Sequence, residues 1–173
     1  NFPNGWSPKN YDGGYDGEVS MVDAVVRSLN TPVVRLAQII GVKSVIDTAR
    51  SMGITSPHLP NDLSIALGST SVTPLEMAAS FATFANGGYR ISPFAIREVR
   101  TPAGDVLERN GPQLERSISP ETAIEMRTLL EQVTIFGTGR PAAVPGYQTF
   151  GKTGTTNDWG DAWFVGGIPG LVA

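Results

Sequence analysis

Seven prolines directly follow a Ser or a Thr, and the three of them that precede apolar residues at helical spacing constrain the fold of this chain more than any other feature. A hydroxyl side chain is a favoured N-cap, and proline suits the first helical position because the N–H it lacks needs no partner there. The three pairs are Thr31-Pro32, Thr73-Pro74 and Ser119-Pro120. Glu76 follows the second pair at the spacing of a capping box. Each pair precedes apolar residues at helical spacing, so the sequence predicts three helices with defined starts.

The same periodicity predicts two more helices, and the pattern of apolar residues indicates which faces are buried. The five predicted helices cover residues 20–30, 31–41, 43–52, 73–86 and 119–136. The fourth helix carries Leu75, Ala78, Ala79 and Ala82 on one face, which predicts a close-packed, buried helix. In the fifth, the predicted inward stripe consists of Ala123, Met126, Leu130 and Val133.

Strand patterns occur mainly late in the sequence. A hairpin is predicted from residues 96–100 and 105–108, and two short strands from residues 148–155 and 162–166. A polar turn, residues 156–160, joins the last two, and we expect Asp158 and Asp161 to hold it. Trp163 is predicted to lie in the core, whereas Trp159 is as consistent with a substrate groove as with packing. The prediction is a helix-rich α/β or α+β domain with late antiparallel strands.

Composition excludes several classes of function. The chain has 13 basic and 16 acidic residues and a formal charge of −3, so it lacks the basic surface of a nucleic-acid-binding protein. It contains no cysteine, which excludes disulfides, thiolate metal sites and a cysteine nucleophile. The only histidine, His58, lies between prolines in an expected solvated loop. Neither a metal nor an organic cofactor is implied.

Residues 146–153 match the phosphate-binding pattern G-x-x-x-x-G-K-[ST] letter for letter. A phosphate-binding loop follows a buried strand and opens a helix. Here Pro141 and Pro145 precede the match, and the polar turn after Gly154 follows it. The sequence context therefore argues against nucleotide binding.

The same segment contains Lys152-Thr153-Gly154 on a predicted strand, and Ser28-x-Asn30 lies at a predicted helix junction. Serine β-lactamases and penicillin-binding proteins combine K-T-G and S-x-N with a third motif, S-x-x-K. Each motif alone is weak, since Ser-x-Asn usually caps a helix. Longer segments in the same order strengthen the match, namely 15–17, 27–32, 67–69, 72–78, 151–156 and 161–166. With them, nearly the whole chain resembles the transpeptidase domain of a class A, bifunctional penicillin-binding protein.

The resemblance implies the penicillin-binding/serine β-lactamase-like transpeptidase fold and a D,D-transpeptidase. Such an enzyme cross-links peptidoglycan stem peptides ending in D-Ala-D-Ala through a serine ester, and β-lactam antibiotics acylate it. By resemblance, Ser28 relays a proton to the leaving amine and Asn30 holds the substrate's peptide carbonyl. Lys152 supplies positive charge to the cleft.

The substrate-binding residues implied by the resemblance are Thr153, Gly154 and Thr155. The two threonine hydroxyls are expected to bind the terminal carboxylate, and Gly154 leaves the strand bare for the substrate backbone. The N–H of Thr155 is expected to form half of the oxyanion hole. Successive side chains of a strand point to opposite faces, which would place Lys152 opposite Thr153 and Thr155. These roles therefore require an edge strand that is accessible from both faces.

The S-x-x-K motif is absent from this chain. Its only lysines are Lys9, Lys43 and Lys152, and the residues three positions before them are Trp, Ile and Thr. By resemblance, the nucleophilic serine and its lysine are expected upstream of residue 1, and a closing strand and helix beyond residue 173. Residues 1–173 are thus expected to be a partial domain, incomplete at both ends. We expect this chain alone not to react with β-lactams. We also expect it either to pair with a second polypeptide that supplies the upstream half or to expose apolar surface.

Other functions within the resemblance stay open at this stage. They are a related penicilloyl-serine carboxypeptidase, a β-lactamase, a β-lactam sensor, or a non-catalytic module that binds peptidoglycan. The family works at the extracytoplasmic face of the bacterial cytoplasmic membrane, anchored by an N-terminal helix that this sequence lacks. The longest apolar run, residues 162–173, contains Pro169 and is too short to cross a bilayer.

Overall fold

A computed structural model describes residues 5–156 and 160–173. The helices are α1 (Met21–Val26), α2 (Asn30–Ile40), α3 (Val42–Ser51), α4 (Pro74–Ala85) and α5 (Pro120–Phe136), with 3₁₀ turns at Leu63–Leu67 and Arg140–Ala142. The strands are β1 (Tyr89–Ile91), β2 (Glu98–Arg100), β3 (Val106–Arg109), β4 (Leu114–Arg116), β5 (Phe150–Thr155), β6 (Ala162–Ile168) and β7 (Leu171–Val172). This mixture of helices and antiparallel strands confirms the predicted fold class.

Two of the three predicted helix starts are confirmed. The Thr73 side chain accepts from the N–H of Glu76, and the Glu76 side chain accepts from the N–H of Thr73, which completes the capping box. Ser119 accepts from the N–H of Thr122. In both cases the local sequence satisfies N–H groups that a helix start leaves unpaired.

The predicted cap at Thr31 is wrong. Helix α2 begins at Asn30, its N-cap is Leu29, and no side chain caps it locally. Instead, Asn10 Oδ1 accepts from the N–H of Thr31 at 3.1 Å and from its hydroxyl at 3.2 Å. A residue 21 positions earlier thus satisfies this helix start and ties the N-terminal segment to α2.

Burial confirms the stripe of α5 and corrects that of α4. On α5, Ala123, Leu130 and Val133 are buried, as predicted. On α4, the predicted inward residue Leu75 is 62% exposed, whereas Ser80 and Thr83 are buried. The other predicted residues, Ala78, Ala79 and Ala82, are half-buried, so the predicted stripe of α4 is wrong at Leu75 and misses the two small polar residues that are buried most deeply.

The main sheet has the order β5-β6-β7, all antiparallel, and β5 lies at its edge. Helix α5 packs on β5, and the buried Thr134 hydroxyl donates to the carbonyl oxygen of Thr149 at 2.5 Å, just before β5 begins. Helix α1 packs against α5 in turn. Helix α5 therefore contacts both α1 and β5.

Two earlier antiparallel pairs complete the strands. The pair β2–β3 is the predicted hairpin, with Glu98 opposite Arg109. The pair β1–β4, with Tyr89 opposite Arg116, is not predicted, because three-residue strands carry too little alternation to be recognised. The strands are thus not confined to the end of the chain.

The predicted core position of Trp163 is wrong, because this side chain is 53% exposed on β6. The predictions for Asp158 and Trp159 fall outside the described residues. The backbone of Asp161 pairs with Thr156, accepting from its N–H and donating to its hydroxyl. None of the helices in the two described ranges is long and apolar enough to span a lipid bilayer.

Candidate active site

Helix α1 ends in a backbone conformation that sets the position of Ser28. Ser28 has φ +57°, and it is the only non-glycine residue with positive φ within residues 5–156 and 160–173. Left-handed backbone costs an L-residue about 1–2 kcal/mol. The N–H of Leu29 donates to the carbonyl of Ala24 at 2.8 Å, and the Leu29 side chain is buried. The packing of Leu29 therefore holds Ser28 in this conformation, as often happens at functional sites.

Lys152 reaches Ser28 from β5. Its Nζ donates to Ser28 Oγ at 2.8 Å, to the carbonyl oxygen of Thr153 at 3.1 Å and, at 3.4 Å, towards Thr153 Oγ1. No carboxylate pairs with Lys152 among the described residues. Burial lowers the pKa of Lys152. A partly buried cation without a counter-charge makes this cleft a favourable place for an anion.

The hydrogen bonding of β5 shows which backbone groups are free at the sheet edge. The N–H of Thr156 donates to the carbonyl of Asp161, on the side of β6. Backbone groups alternate in direction along an antiparallel strand, so those of Thr153 and Thr155 point away from β6. The contact between Lys152 Nζ and the carbonyl of Thr153 agrees with this direction. The edge strand that the expected roles of Lys152, Thr153 and Thr155 require is therefore present.

Gly154 leaves one part of this edge uncovered. A Cβ built on Gly154 would meet no atom of residues 5–156 or 160–173 within 4 Å. Both neighbours, Thr153 and Thr155, carry hydroxyls. The edge therefore has open space beside hydrogen-bonding groups.

The segment after α5 adds Thr138, a residue that lies outside the S-x-N and K-T-G motifs. Thr138 Oγ1 lies 2.7 Å from Thr153 Oγ1. Its N–H donates to the carbonyl of Val26, at the end of α1, at 3.3 Å. A Cβ on the preceding Gly137 would lie 2.2 Å from that carbonyl oxygen. The recognisable signal is a hydroxyl residue between two glycines, Gly137 and Gly139, where a close backbone approach permits no side chain.

Asn30 occupies a different part of the arrangement. Its Nδ2 donates to the carbonyl of Lys9 at 2.8 Å. In the described part of the chain, no hydrogen bond joins its side chain to Ser28 or Lys152. The structure therefore brings Ser28, Lys152 and Thr153 into direct contact, while Asn30 is held by the N-terminal segment. His58 is exposed in the loop between α3 and α4.

A largely apolar cavity of about 1210 Å³ lies beside Leu29, the residue after Ser28. Helices α1, α2 and α5 and the segment before α1 form its walls, and its lining includes Met21, Ala24, Leu29, Val33, Leu36 and Met126. Ser28, Lys152 and Thr153 are not among the described residues that line the cavity. Ile39, another lining residue, is 81% exposed.

Comparison with known proteins identifies the family. Residues 3–170 match the family described as "Penicillin binding protein transpeptidase domain". The chain is 40% identical over 181 residues to Penicillin-binding protein 1A of Neisseria meningitidis serogroup A / serotype 4A, covering 98% of this chain. This chain therefore belongs to the penicillin-binding protein transpeptidase family.

Solved structures agree with this assignment. The crystal structure of Penicillin-Binding Protein 1A from Haemophilus influenzae matches with a TM-score of 0.86 and 28% identity, over 93% of this chain and 30% of that one. The imipenem acyl-enzyme complex of penicillin-binding protein A from M. tuberculosis matches with a TM-score of 0.80 and 27% identity, over 92% and 42%. This chain spans 22% of the length of the Neisseria relative.

Proposed function

We propose that this chain supplies one side of the active site of a D,D-transpeptidase that cross-links peptidoglycan stem peptides by serine acyl transfer and that β-lactams acylate. The observation that carries the proposal is the hydrogen bond of 2.8 Å between Lys152 Nζ and Ser28 Oγ. It joins the S-x-N and K-T-G motifs, which lie 124 positions apart in the sequence.

The direction of this hydrogen bond supports a proton relay. An ammonium only donates, so Ser28 Oγ accepts from Lys152 and keeps its own proton free for another acceptor. A leaving amine near Ser28 would take that proton, and Lys152 would stabilise or reprotonate the serine oxygen. Because burial lowers the pKa of Lys152, its proton is held less tightly than that of an exposed lysine.

The free edge of β5 supports the substrate-binding roles. The hydroxyl of Thr153 and the charge of Lys152 lie together, as the terminal carboxylate of a D-Ala-D-Ala peptide would require. The hydroxyl of Thr155 is a second ligand for that carboxylate. Its N–H points away from β6 and is the proposed oxyanion-hole donor. Gly154 gives the substrate backbone room to approach.

Asn30 is proposed to hold the substrate's peptide carbonyl. A side-chain amide has two N–H donors, and the bond to Lys9 uses one of them. The remaining N–H and the amide oxygen are available to the substrate. The Lys9 contact thus orients the amide.

The nucleophile is proposed to come from a polypeptide segment that carries S-x-x-K and occupies the apolar cavity beside Leu29. The cavity supports this because apolar side chains such as Leu36 and Met126 line it, together with Leu29, the residue after Ser28. We call this chain together with that segment the completed domain. Without the segment, the chain has no S-x-x-K serine to acylate.

The reaction then has two balanced steps. The nucleophilic serine oxygen bonds to the carbonyl carbon of the penultimate D-Ala, the C–N bond to the terminal D-Ala breaks, and the leaving nitrogen takes a proton through Ser28. An amine of a second stem peptide next attacks the ester carbon and loses a proton. The ester C–O bond breaks, and the serine oxygen regains its proton. We place this activity at the extracytoplasmic face of the bacterial cytoplasmic membrane.

Labelling with a fluorescent penicillin, followed by denaturing electrophoresis, tests the proposal. The samples are this chain alone and this chain co-expressed with a separate polypeptide that carries the proposed S-x-x-K segment. We expect label on that second polypeptide only when both are present. Label on this chain alone would contradict the assignment of the nucleophile. No label on either polypeptide would favour a non-catalytic, peptidoglycan-binding role.

A further inference from the structure

We infer that Thr138 is a positioning residue that directs the hydroxyl of Thr153 towards the carboxylate of the substrate. This inference rests on the proposed function, because it assigns a partner to one of its substrate-binding residues. Its basis is the distance of 2.7 Å between the two hydroxyl oxygens. Thr138 lies outside the S-x-N and K-T-G motifs.

A hydroxyl group has one proton to donate and two lone pairs to accept. Lys152 Nζ lies 3.4 Å from Thr153 Oγ1 and can only donate to it. If Thr138 also donates, both lone pairs of Thr153 are used and its proton is left for an external acceptor. If instead Thr153 donated to Thr138, it would have no proton for a carboxylate. An arriving anion therefore selects the order Thr138 to Thr153 to carboxylate, in which each bond polarises the next.

The backbone around Thr138 fixes its hydroxyl in place. The N–H of Thr138 donates to the carbonyl of Val26, two residues before Ser28. The N–H of Gly139 donates to the carbonyl of Val133 on α5 at 3.1 Å. This turn therefore contacts the end of α1 through its backbone and β5 through its side chain. It couples the positions of Ser28 and Thr153.

The test compares two substrates that differ only in the carboxylate. Second-order acylation rates of the completed domain are measured with penicillin G and with its methyl ester. We expect Thr138→Val to slow acylation by penicillin G about tenfold, the scale of one hydrogen bond to a charged group. The rate with the ester should stay unchanged, and Thr138→Ser should restore the rate with penicillin G. Thr128→Val, at an exposed threonine on α5, is the matched control.

Each other outcome has a distinct meaning. Equal slowing with the acid and the ester would show that Thr138 only supports the fold, and would overturn the inference. An unchanged rate with penicillin G would overturn it as well. If the unaltered completed domain were not acylated by either compound, the proposed function itself would fail, and this inference with it.

Discussion

Lys152 Nζ donates a hydrogen bond of 2.8 Å to Ser28 Oγ, and Ser28 is held with φ +57° where it receives that bond. The two residues come from opposite ends of the chain, one from the turn after α1 and one from the edge strand β5. Helix α5 packs on both elements and sets their separation. Strain at Ser28 and desolvation at Lys152 therefore occur at the same point in the fold, a combination that is typical of functional sites.

Substitution of Ser28 should separate stability from activity. Ser28→Ala keeps the left-handed conformation, whereas Ser28→Gly relieves its cost, so the glycine variant should be more stable by about 1 kcal/mol. Both variants lose the hydroxyl and should be acylated about 100-fold more slowly. Denaturant unfolding and penicillin acylation rates of the completed domain measure the two effects. A glycine variant less stable than the alanine variant would show that packing, not backbone strain, governs this position.

The acylation rate should fall at alkaline pH, and the fall should begin at a lower pH than the pKa of an ordinary lysine would give. Lys152 must be protonated to attract the carboxylate and to donate to Ser28, and burial lowers its pKa. The rate should therefore decrease as the pH rises through that lowered value. Lys152→Arg should react more slowly at neutral pH but should not show this alkaline decrease, because guanidinium stays charged. A pH profile identical in both proteins would exclude Lys152 as the titrating group.

Gly154→Ala should lower activity without lowering stability. A Cβ at this position would meet no atom of the described residues within 4 Å, and the residue does not have positive φ, so the described part of the fold can accept a methyl group. The same methyl group would occupy the space proposed for the substrate backbone and should slow acylation about 100-fold. Gly111→Ala is the control, since its Cβ is equally unhindered. Normal acylation of the Gly154 variant would mean that the substrate does not approach this part of β5.

Glu76 should make the protein more sensitive to acid. Its carboxylate accepts hydrogen bonds from the N–H and hydroxyl groups of Thr55 and Thr73, which lower its pKa from 4.5 to about 2. The pKa of Glu76 is lower in the folded state than in the unfolded state. The hydrogen bonds to its carboxylate therefore stabilise the fold above about pH 4.5, and this stabilisation is lost as the pH falls towards about 2. The melting temperature should therefore decrease over this range, and less steeply in Glu76→Gln. Glu125→Gln, at an exposed position on α5, should retain the steep decrease; parallel curves for both variants would contradict the prediction.

Much of the fold could be predicted because its signals are local. Thr73 and Ser119 start their helices through hydrogen bonds to residues three positions later, and such contacts depend on few neighbours. The cap of α2 could not be predicted in this way, since Asn10 supplies it from 21 positions away. The burial of Trp163 could not be predicted locally either. Its neighbours in sequence are apolar, but the side chain is exposed because no distant element covers it within the described residues.

The motifs, the family resemblance and the absence of S-x-x-K follow from the sequence, since they depend only on residue identity and order. Three features appear only in the folded chain: Lys152 contacts Ser28, Thr153 and Thr155 direct their backbone groups to a free sheet edge, and Thr138 contacts Thr153. They could not be predicted because hydrogen-bond direction and the exposed side of a sheet depend on the packing of distant elements. In this protein, α5 brings those elements together.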